Sequence, residues 1–332
     1  MQKELLFEFL ITGVSSFLLT AILCRIIIPI LRNKKAGQII RPEGPKWHAT
    51  KAGTPTMGGI CFIMAMLLAL LGVTVYFALK GRQRELIPMA LTMALAVLNG
   101  MIGFVDDYCK LLKKQNEGLK AHQKFLLQVL AAGIYIFLLK TLGYIDTALH
   151  VPFMGGTVEL GVVYYVFAMF LIVGMVNSVN LTDGIDGLAA SVTLVIAGFF
   201  GFVAFAFLHT SLALISGALI GGMIGFLIFN LHPAKVFMGD TGSLFLGGAV
   251  TGAAFIINEP MIIILAGGMY FVETLSVMLQ VGSFKLRQKR IFKMAPIHHH
   301  LEQCGWCENK IVGVFCLLTA ALCTLAWFGI GI

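Results

Sequence analysis

Charge is scarce in this chain: Asp, Glu, Lys and Arg make up 12% of its 332 residues, against 58% apolar residues. That balance excludes both a disordered chain and an ordinary soluble domain. Other features are missing as well. No polar stretch is long enough to form a separate soluble domain, and no internal repeat is visible. The apolar runs lack the strict alternation of barrel strands. No Gly-x-x-x-x-Gly-Lys-Ser/Thr run occurs, which excludes a P-loop. The first apolar run is too long for a signal-peptide core and has no small-residue cleavage site after it, so it is kept as a helix. The seven cysteines suggest no disulfide framework, because Cys24, Cys61, Cys316 and Cys323 lie in apolar runs where Cys behaves as a small hydrophobe.

What is present is a series of apolar runs, each near the roughly 20 residues that cross a bilayer as a helix. They cover Leu5–Leu31, Met57–Leu79, Leu86–Val105, Phe125–Leu142, Val162–Val176, Leu188–Leu208, Leu212–Phe229, Leu244–Ile257, Met261–Leu279 and Ile311–Ile330. Hydrocarbon gives the backbone no hydrogen-bond partners, so helices are expected. The predicted fold is an all-α polytopic integral membrane protein with about ten transmembrane helices, forming one domain over residues 1–332. Loops 32–56, 109–124, 230–240 and 281–310 hold 18 of the 24 Lys and Arg residues. Basic residues concentrate on the cytoplasmic side, so these loops are predicted to be cytoplasmic and both termini external. Lys80, Arg82 and Arg84 run against the rule locally. Cys109, Cys304 and Cys307 fall on the reducing side under this topology. The formal charge of +8 then reflects topology and attraction to anionic lipid heads or phosphates, not nucleic-acid binding.

The polar motifs share that one face. Asn180-Leu181-Thr182-Asp183-Gly184-Ile185-Asp186-Gly187 places two carboxylates, an amide and a hydroxyl between apolar runs. Ionisable residues at membrane depth are costly and are candidates for function by default. Asp106-Asp107 ends the third run, and Asp106 and Lys110 stand at i and i+4 on one helical face. A weak ion pair at a solvated helix end is the plain explanation. Adjacent acids also raise one pKa, which suits a proton acceptor.

Phe237-Met238-Gly239-Asp240-Thr241-Gly242-Ser243 precedes the eighth run. Asp240 or Ser243 could merely cap a helix. Alternatively Asp240 is a hard oxygen ligand for Mg²⁺ beside glycines that let phosphate approach a helix N-terminus. His298-His299-His300 in a basic loop suggests anion binding, and the Cys304–Cys307 pair that follows offers a rival zinc reading. Lys51 with Thr54 and Thr56 is either a turn in a basic loop or a phosphate contact. The fifth and eighth runs, Val162–Val176 and Leu244–Ile257, are short at 15 and 14 residues, so the motifs flanking them should dip into the membrane boundary. Gly217, Gly221 and Gly225 recur every four residues, as on a close-packed helix face, while Arg25 and Glu273 are charges inside apolar runs.

Taken together these motifs resemble the polyprenyl-phosphate N-acetylhexosamine-1-phosphate transferase superfamily, and within it the phospho-N-acetylmuramoyl-pentapeptide transferase family. The resemblance spans the whole chain in the order Gly-Thr-Pro-Thr-Met-Gly-Gly, Asp-Asp, Asn-Leu-Thr-Asp-Gly-x-Asp-Gly, Phe-Met-Gly-Asp-Thr-Gly-Ser and Pro-Ile-His-His-His. It implies ten transmembrane helices in the cell membrane, a homodimer and a cytoplasmic active site. It also implies transfer of phospho-N-acetylmuramoyl-pentapeptide from UDP-N-acetylmuramoyl-pentapeptide to undecaprenyl phosphate, giving lipid I and UMP with Mg²⁺ as cofactor. On this resemblance Asp106, Asp107, Asp240, His298, His299 and His300 form the catalytic set, with Asp240 the metal ligand. Lys51, Thr56, Asn180, Asp183, Asp186, Asn230, Phe237 and Gln280 form the substrate-binding set, Phe237 stacking on uracil. Two other readings are a secondary transporter using intramembrane acids, which would distribute polar residues toward the bilayer midplane, and a sister transferase using UDP-GlcNAc.

Overall fold

In lipid the usual helix pattern inverts: the face that packs against protein carries small and polar residues, and the outer face carries large apolar ones. The first helix, α1 (Gln2–Asn33), shows this plainly. Leu5, Glu8, Thr12, Ser16, Thr20, Cys24 and Ile28 form its buried stripe, while Leu6, Leu10, Val14, Leu18, Ile22 and Ile26 are exposed. The structure, a computed structural model, describes residues 2–33, 51, 53–113 and 118–330. The Gly44–His48 part of the first basic loop lies outside these residues.

The chain continues through α2 (Gly59–Leu79), a 3₁₀ turn (Gln83–Leu86), α3 (Ile87–Lys113), α4 (Ala121–Thr141) and a short hairpin, β1 (Ala148–His150) with β2 (Thr157–Glu159). The two strands are antiparallel, with Leu149 opposite Val158. Then come α5 (Val163–Thr182), α6 (Leu188–Ala206), α7 (Thr210–Asn230), α8 (Gly239–Ile256), α9 (Ile262–Ala266), α10 (Gly268–Arg287), α11 (Ile297–Gln303) and α12 (Glu308–Gly329). The protein is therefore all-α and crosses the membrane many times. Eight of the described helices, α1 to α7 and α12, are long and apolar enough to span it.

Two predicted spans took a different form. The eighth run became α8, in which Thr241 to Ile256 are buried without a break. Encased by α3 and α5, α8 needs no lipid-facing side, so it can afford five glycines and polar Thr251 at the cost of hydropathy. Gly247 packs so tightly that a Cβ there would lie 2.6 Å from Val176 Cα. The ninth run is broken at Gly267 into α9 and α10. Helices α5 and α8 have 20 and 18 residues and are not short: the polar motifs flanking those runs continue the helices themselves.

The expected glycine face on α7 packs on α1. A Cβ on Gly221 would lie 2.0 Å from the Gly13 carbonyl oxygen, and Ser16 Oγ donates to the Ala218 carbonyl at 2.7 Å. Part of the local positive charge at Lys80–Arg84 is answered by acids of the protein. Arg82 lies 3.2 Å from Glu8 and 2.7 Å from Glu85, so its charge is matched within the bundle.

Candidate active site

The C-terminal ends of α3, α5 and α7 meet the N-terminal ends of α4, α6, α8 and α12, so segments far apart in sequence converge at one end of the bundle. Loop 51–58 is stitched to that end through the main chain, with Phe237 N–H donating to the Pro55 carbonyl at 2.9 Å and Gly58 N–H to the Phe237 carbonyl at 2.8 Å.

At the centre stand Asp106 and Asp107 from α3 and Asp240 from α8, whose carboxylate oxygens lie within 4.8 Å of one another. Lys110 Nζ bridges two of them, 2.6 Å from Asp106 and 3.0 Å from Asp240. Lys124, in the first turn of α4, reaches the same Asp240 oxygen at 2.9 Å. Asn180 Nδ2 donates to the other Asp240 oxygen and to Ser243 Oγ, both at 2.8 Å. The helical spacing of Asp106 and Lys110 thus produces an ion pair as expected, and Asp240 joins it.

Asp107 is engaged differently. It accepts from Asp240 N–H at 3.2 Å, from Thr241 N–H at 2.9 Å and from Thr241 Oγ1 at 2.7 Å. Neither Asp240 nor Ser243 caps α8, whose first residues have no side-chain cap of their own. The cap comes from α3. Gly239 must be glycine here, since its φ is +72° and a Cβ would lie 2.5 Å from Asp107 Oδ2 and 2.9 Å from Thr56 Oγ1. With both oxygens taken by the α8 terminus, Asp107 has little capacity left. Asp240, at 19% side-chain exposure against 5% for Asp106, is the most open of the three.

A second group forms around Asp186. Lys51 Nζ lies 2.7 Å from both Asp186 and Glu308, the first residue of α12. The Glu308 carboxylate accepts from Asp186 N–H at 2.9 Å. The other Asp186 oxygen accepts from Ala234 N–H at 3.0 Å and meets His232 Nδ1 at 2.9 Å. Asn230 Nδ2 donates to the Val236 carbonyl at 2.9 Å and so folds this loop back, presenting a half-buried Phe237.

Between the two groups lies Asp183, just past the end of α5. Enclosure by the surrounding protein holds its carboxyl well above the ordinary carboxylate range, and the negative charges of Asp240, Asp107 and Asp186 push the same way. Histidines complete the site from α11. His298 is fully buried, whereas His299 and His300 are half-buried, with His299 Nδ1 2.6 Å from Glu302. His300 Nδ1 accepts from Lys293 N–H at 3.2 Å. Gln280 accepts from Ile291 and Phe292 N–H at 3.0 and 2.9 Å and donates to the Phe292 carbonyl at 3.0 Å, which fastens the preceding loop to α10.

Every site residue expected from the sequence therefore gathers at one end, though not in one role. Lys124, His232, Glu308 and the Glu273 partner of His298 were not foreseen. Lys124 is in the first turn of α4 and Glu308 in that of α12, and charge next to an apolar helix was the one signal available for them. The zinc alternative finds no support among the described residues. Cys304 Sγ is 3.8 Å from His300 Nε2, both Cys304 and Cys307 are exposed, and the converging donor groups are Asp106/Asp107/Asp240 and Asp186/His232/Glu308.

Residues 89–258 match the family model for glycosyl transferase family 4, and residues 51–63 match signature 1 of phospho-N-acetylmuramoyl-pentapeptide-transferase. The chain is 48% identical over 314 residues to the phospho-N-acetylmuramoyl-pentapeptide-transferase of Clostridium perfringens (strain 13 / Type A), covering 95% of this chain and 96% of that protein. It is 45% identical over 306 residues to the enzyme of the same name from Clostridium kluyveri, covering 92% and 94%. With that of Clostridioides difficile the identity is 44% over 324 residues, covering 97% of each.

Proposed function

The chain belongs to the phospho-N-acetylmuramoyl-pentapeptide-transferase family, a family of membrane transferases, and from that premise we propose a specific reaction. It transfers phospho-N-acetylmuramoyl-pentapeptide from its UDP-linked donor to undecaprenyl phosphate, forming lipid I and UMP with Mg²⁺. A lipid phosphate oxygen attacks the sugar-bearing phosphorus of the donor. The new P–O bond replaces the bond to UMP, which departs. Two polyanions must meet, so positioning and charge neutralisation carry most of the work.

The observation that carries this reading is the convergence of Asp106, Asp240, Lys110 and Lys124 on the N-terminus of α8. The donor set is all carboxylate oxygen, which fits a hard divalent cation such as Mg²⁺, and three acids against two lysines leave room for one more positive charge. Asp240 and Asp106 would hold the ion, which would offset charge on the phosphates. Lys110 and Lys124 screen phosphate oxygens, and the backbone N–H groups of α8 favour an anion there. Asp107 fixes that helix end. Phe237 offers a face for the base, with Lys51, Asp186 and Asn230 shaping the pocket around it, Thr56 at its rim, and Asn180 and Asp183 forming its floor. His299 and His300 face the sugar phosphate, and Gln280 holds their loop in place.

The groove between α4 and α5 near Lys124, lined by His122, Phe125, Gln128 and Asn177, supports entry of the lipid phosphate from the membrane beside the acids. We place this end in the cytoplasm, both termini outside, and the chain in a homodimer. A charged, membrane-impermeant maleimide should label exposed Cys304 and Cys307 only after lysis of intact cells, and cross-linking in membranes should trap a dimer.

The reaction is tested by incubating the purified full chain with UDP-linked donor, Mg²⁺ and polyprenyl phosphate and measuring UMP. Release that needs all three and stops on chelation is the expected result. Donor flux in proteoliposomes without UMP would replace the reading with transport, and preference for UDP-GlcNAc would move it to the sister reaction.

A further inference from the structure

Glu273 sits in α10 and His298 in α11, and both are completely buried. A carboxylate inside a membrane bundle is expensive unless something answers its charge. His298 Nδ1 lies 3.1 Å from Glu273 Oε2. The approach is close but off the line of a hydrogen bond, and neither carboxylate oxygen nor either ring nitrogen has an aligned protein partner. Ser276 Oγ donates to the Glu273 main-chain carbonyl and leaves the carboxylate to the imidazole.

The far side of the ring is equally constrained. A Cβ on Gly184 would lie 2.1 Å from His298 Nε2 and 2.6 Å from Cε1. The Gly184 backbone is outside the left-handed region, so glycine is required there by the imidazole and not by its own dihedral angles. His298 is thus clamped between a buried acid and the main chain of the stretch that carries Asn180, Asp183 and Asp186. That stretch ties both acid groups together, through Asn180 at Asp240 and through Asp186 at Lys51 and Glu308.

We propose that Glu273 is a positioning residue for the donor site. Its carboxylate fixes His298, and His298 acts as a spacer against Gly184 that sets where Asp183 and its neighbours stand. The inference rests on the reading above that this stretch forms the floor of the nucleotide pocket. Glu273 meets no substrate itself and acts through the ring.

Outer-shell partners that orient metal ligands typically cost ten- to a hundredfold when lost, and an effect of that order is expected for a partner that orients a spacer behind a substrate pocket. Glu273→Gln keeps the shape and removes the charge, so it should raise the donor KM at least about tenfold, with a smaller change in kcat, and Glu273→Asp should recover part of the loss. A donor KM within about twofold of wild type, or a fall in kcat alone, would overturn the proposal. A second measurement needs no turnover. Gly184→Ala should lower the melting temperature of the substrate-free protein, and should cost far less in a His298→Ala background, where the smaller side chain makes room. Equal losses in the two backgrounds overturn the spacer. Absence of UMP release by the wild type would instead refute the proposed reaction, and the melting cycle would still decide the contact.

Discussion

Two acid groups sit at the same end of this bundle, and either could hold a divalent cation, one by carboxylate oxygens alone and the other by the oxygens of Asp186 and Glu308 with a ring nitrogen of His232. They differ in what already answers their charge. Around Asp186, two carboxylates share Lys51 at 2.7 Å, and main-chain N–H groups of Asp186 and Ala234 fill the remaining positions. Around Asp240, three carboxylates face two lysines, and the most open acid is the one in the first turn of a helix. The first arrangement is closed and links the 51, 186, 232 and 308 segments into one unit. The second is short of positive charge on its open side. Proximity of acids alone does not distinguish a latch from a reaction centre; the balance of partners does.

Substitutions should separate the two groups. Asp240→Ala is expected to have the largest effect on chemistry, lowering UMP release by a factor on the order of 10²–10³, because it removes charge stabilisation where the phosphates meet. It should leave the melting temperature close to that of wild type. Lys51→Met should act mainly on stability, with a rise in donor KM because Lys51 also shapes the nucleotide pocket. Removing one partner of a buried ion pair costs about 3–5 kcal/mol, so thermal unfolding should move down sharply, and Glu308→Gln added to it should restore part of the loss. If Lys51→Met left stability intact, the latch would be wrong.

Asp107→Ala lies between them. Losing the cap of α8 should cost about 0.5–2 kcal/mol, with a fall in activity as Asp240 shifts, read by melting and turnover on the same preparation. The smallest effect concerns Asp183. Its carboxyl titrates above the unfolded value, so it contributes stability below the unfolded pKa that is lost as pH rises through the folded pKa. Asp183→Asn should therefore raise the melting temperature at neutral pH and change it little under acid conditions. An increase of the same size at both pH values would contradict that assignment.

Much of this architecture was legible along the sequence, because lipid makes each span declare itself over some 20 residues. Helices α1, α2, α4, α6, α7 and α12 match predicted runs to within a few residues, while α3 and α5 carry on past theirs into the polar motifs. The break at Gly267 was not visible, since Met261–Val272 is an unbroken run without charge and the polar residues Glu273, Thr274 and Ser276 lie beyond the break. Nor was the shielding of α8, whose glycines read locally as weakness and are the condition of its close fit. At the site, the residue set was readable from motif chemistry, but partners were not. Asp107 capping a helix 133 residues away, Lys51 paired with Glu308 and Glu273 held by His298 are all pairings between distant segments. A motif says which side chains are polar where they need not be; only the packed helices say which of them is opposite which.

The seam between α1 and α7 has a consequence for how the protein is made. Helix α1 leaves the ribosome well before α7, and its small, polar stripe finds its counterpart on α7 some two hundred residues later, as in the Ser16–Ala218 hydrogen bond. Until α7 enters the bilayer, Thr12, Ser16 and Thr20 have no such neighbour, and the bundle cannot close in the order in which it is synthesised. Helix α1 is inserted before α7 and locked only with it, so a ribosome stalled before α7 should leave behind a membrane-bound fragment in which α1 is still free to pair elsewhere.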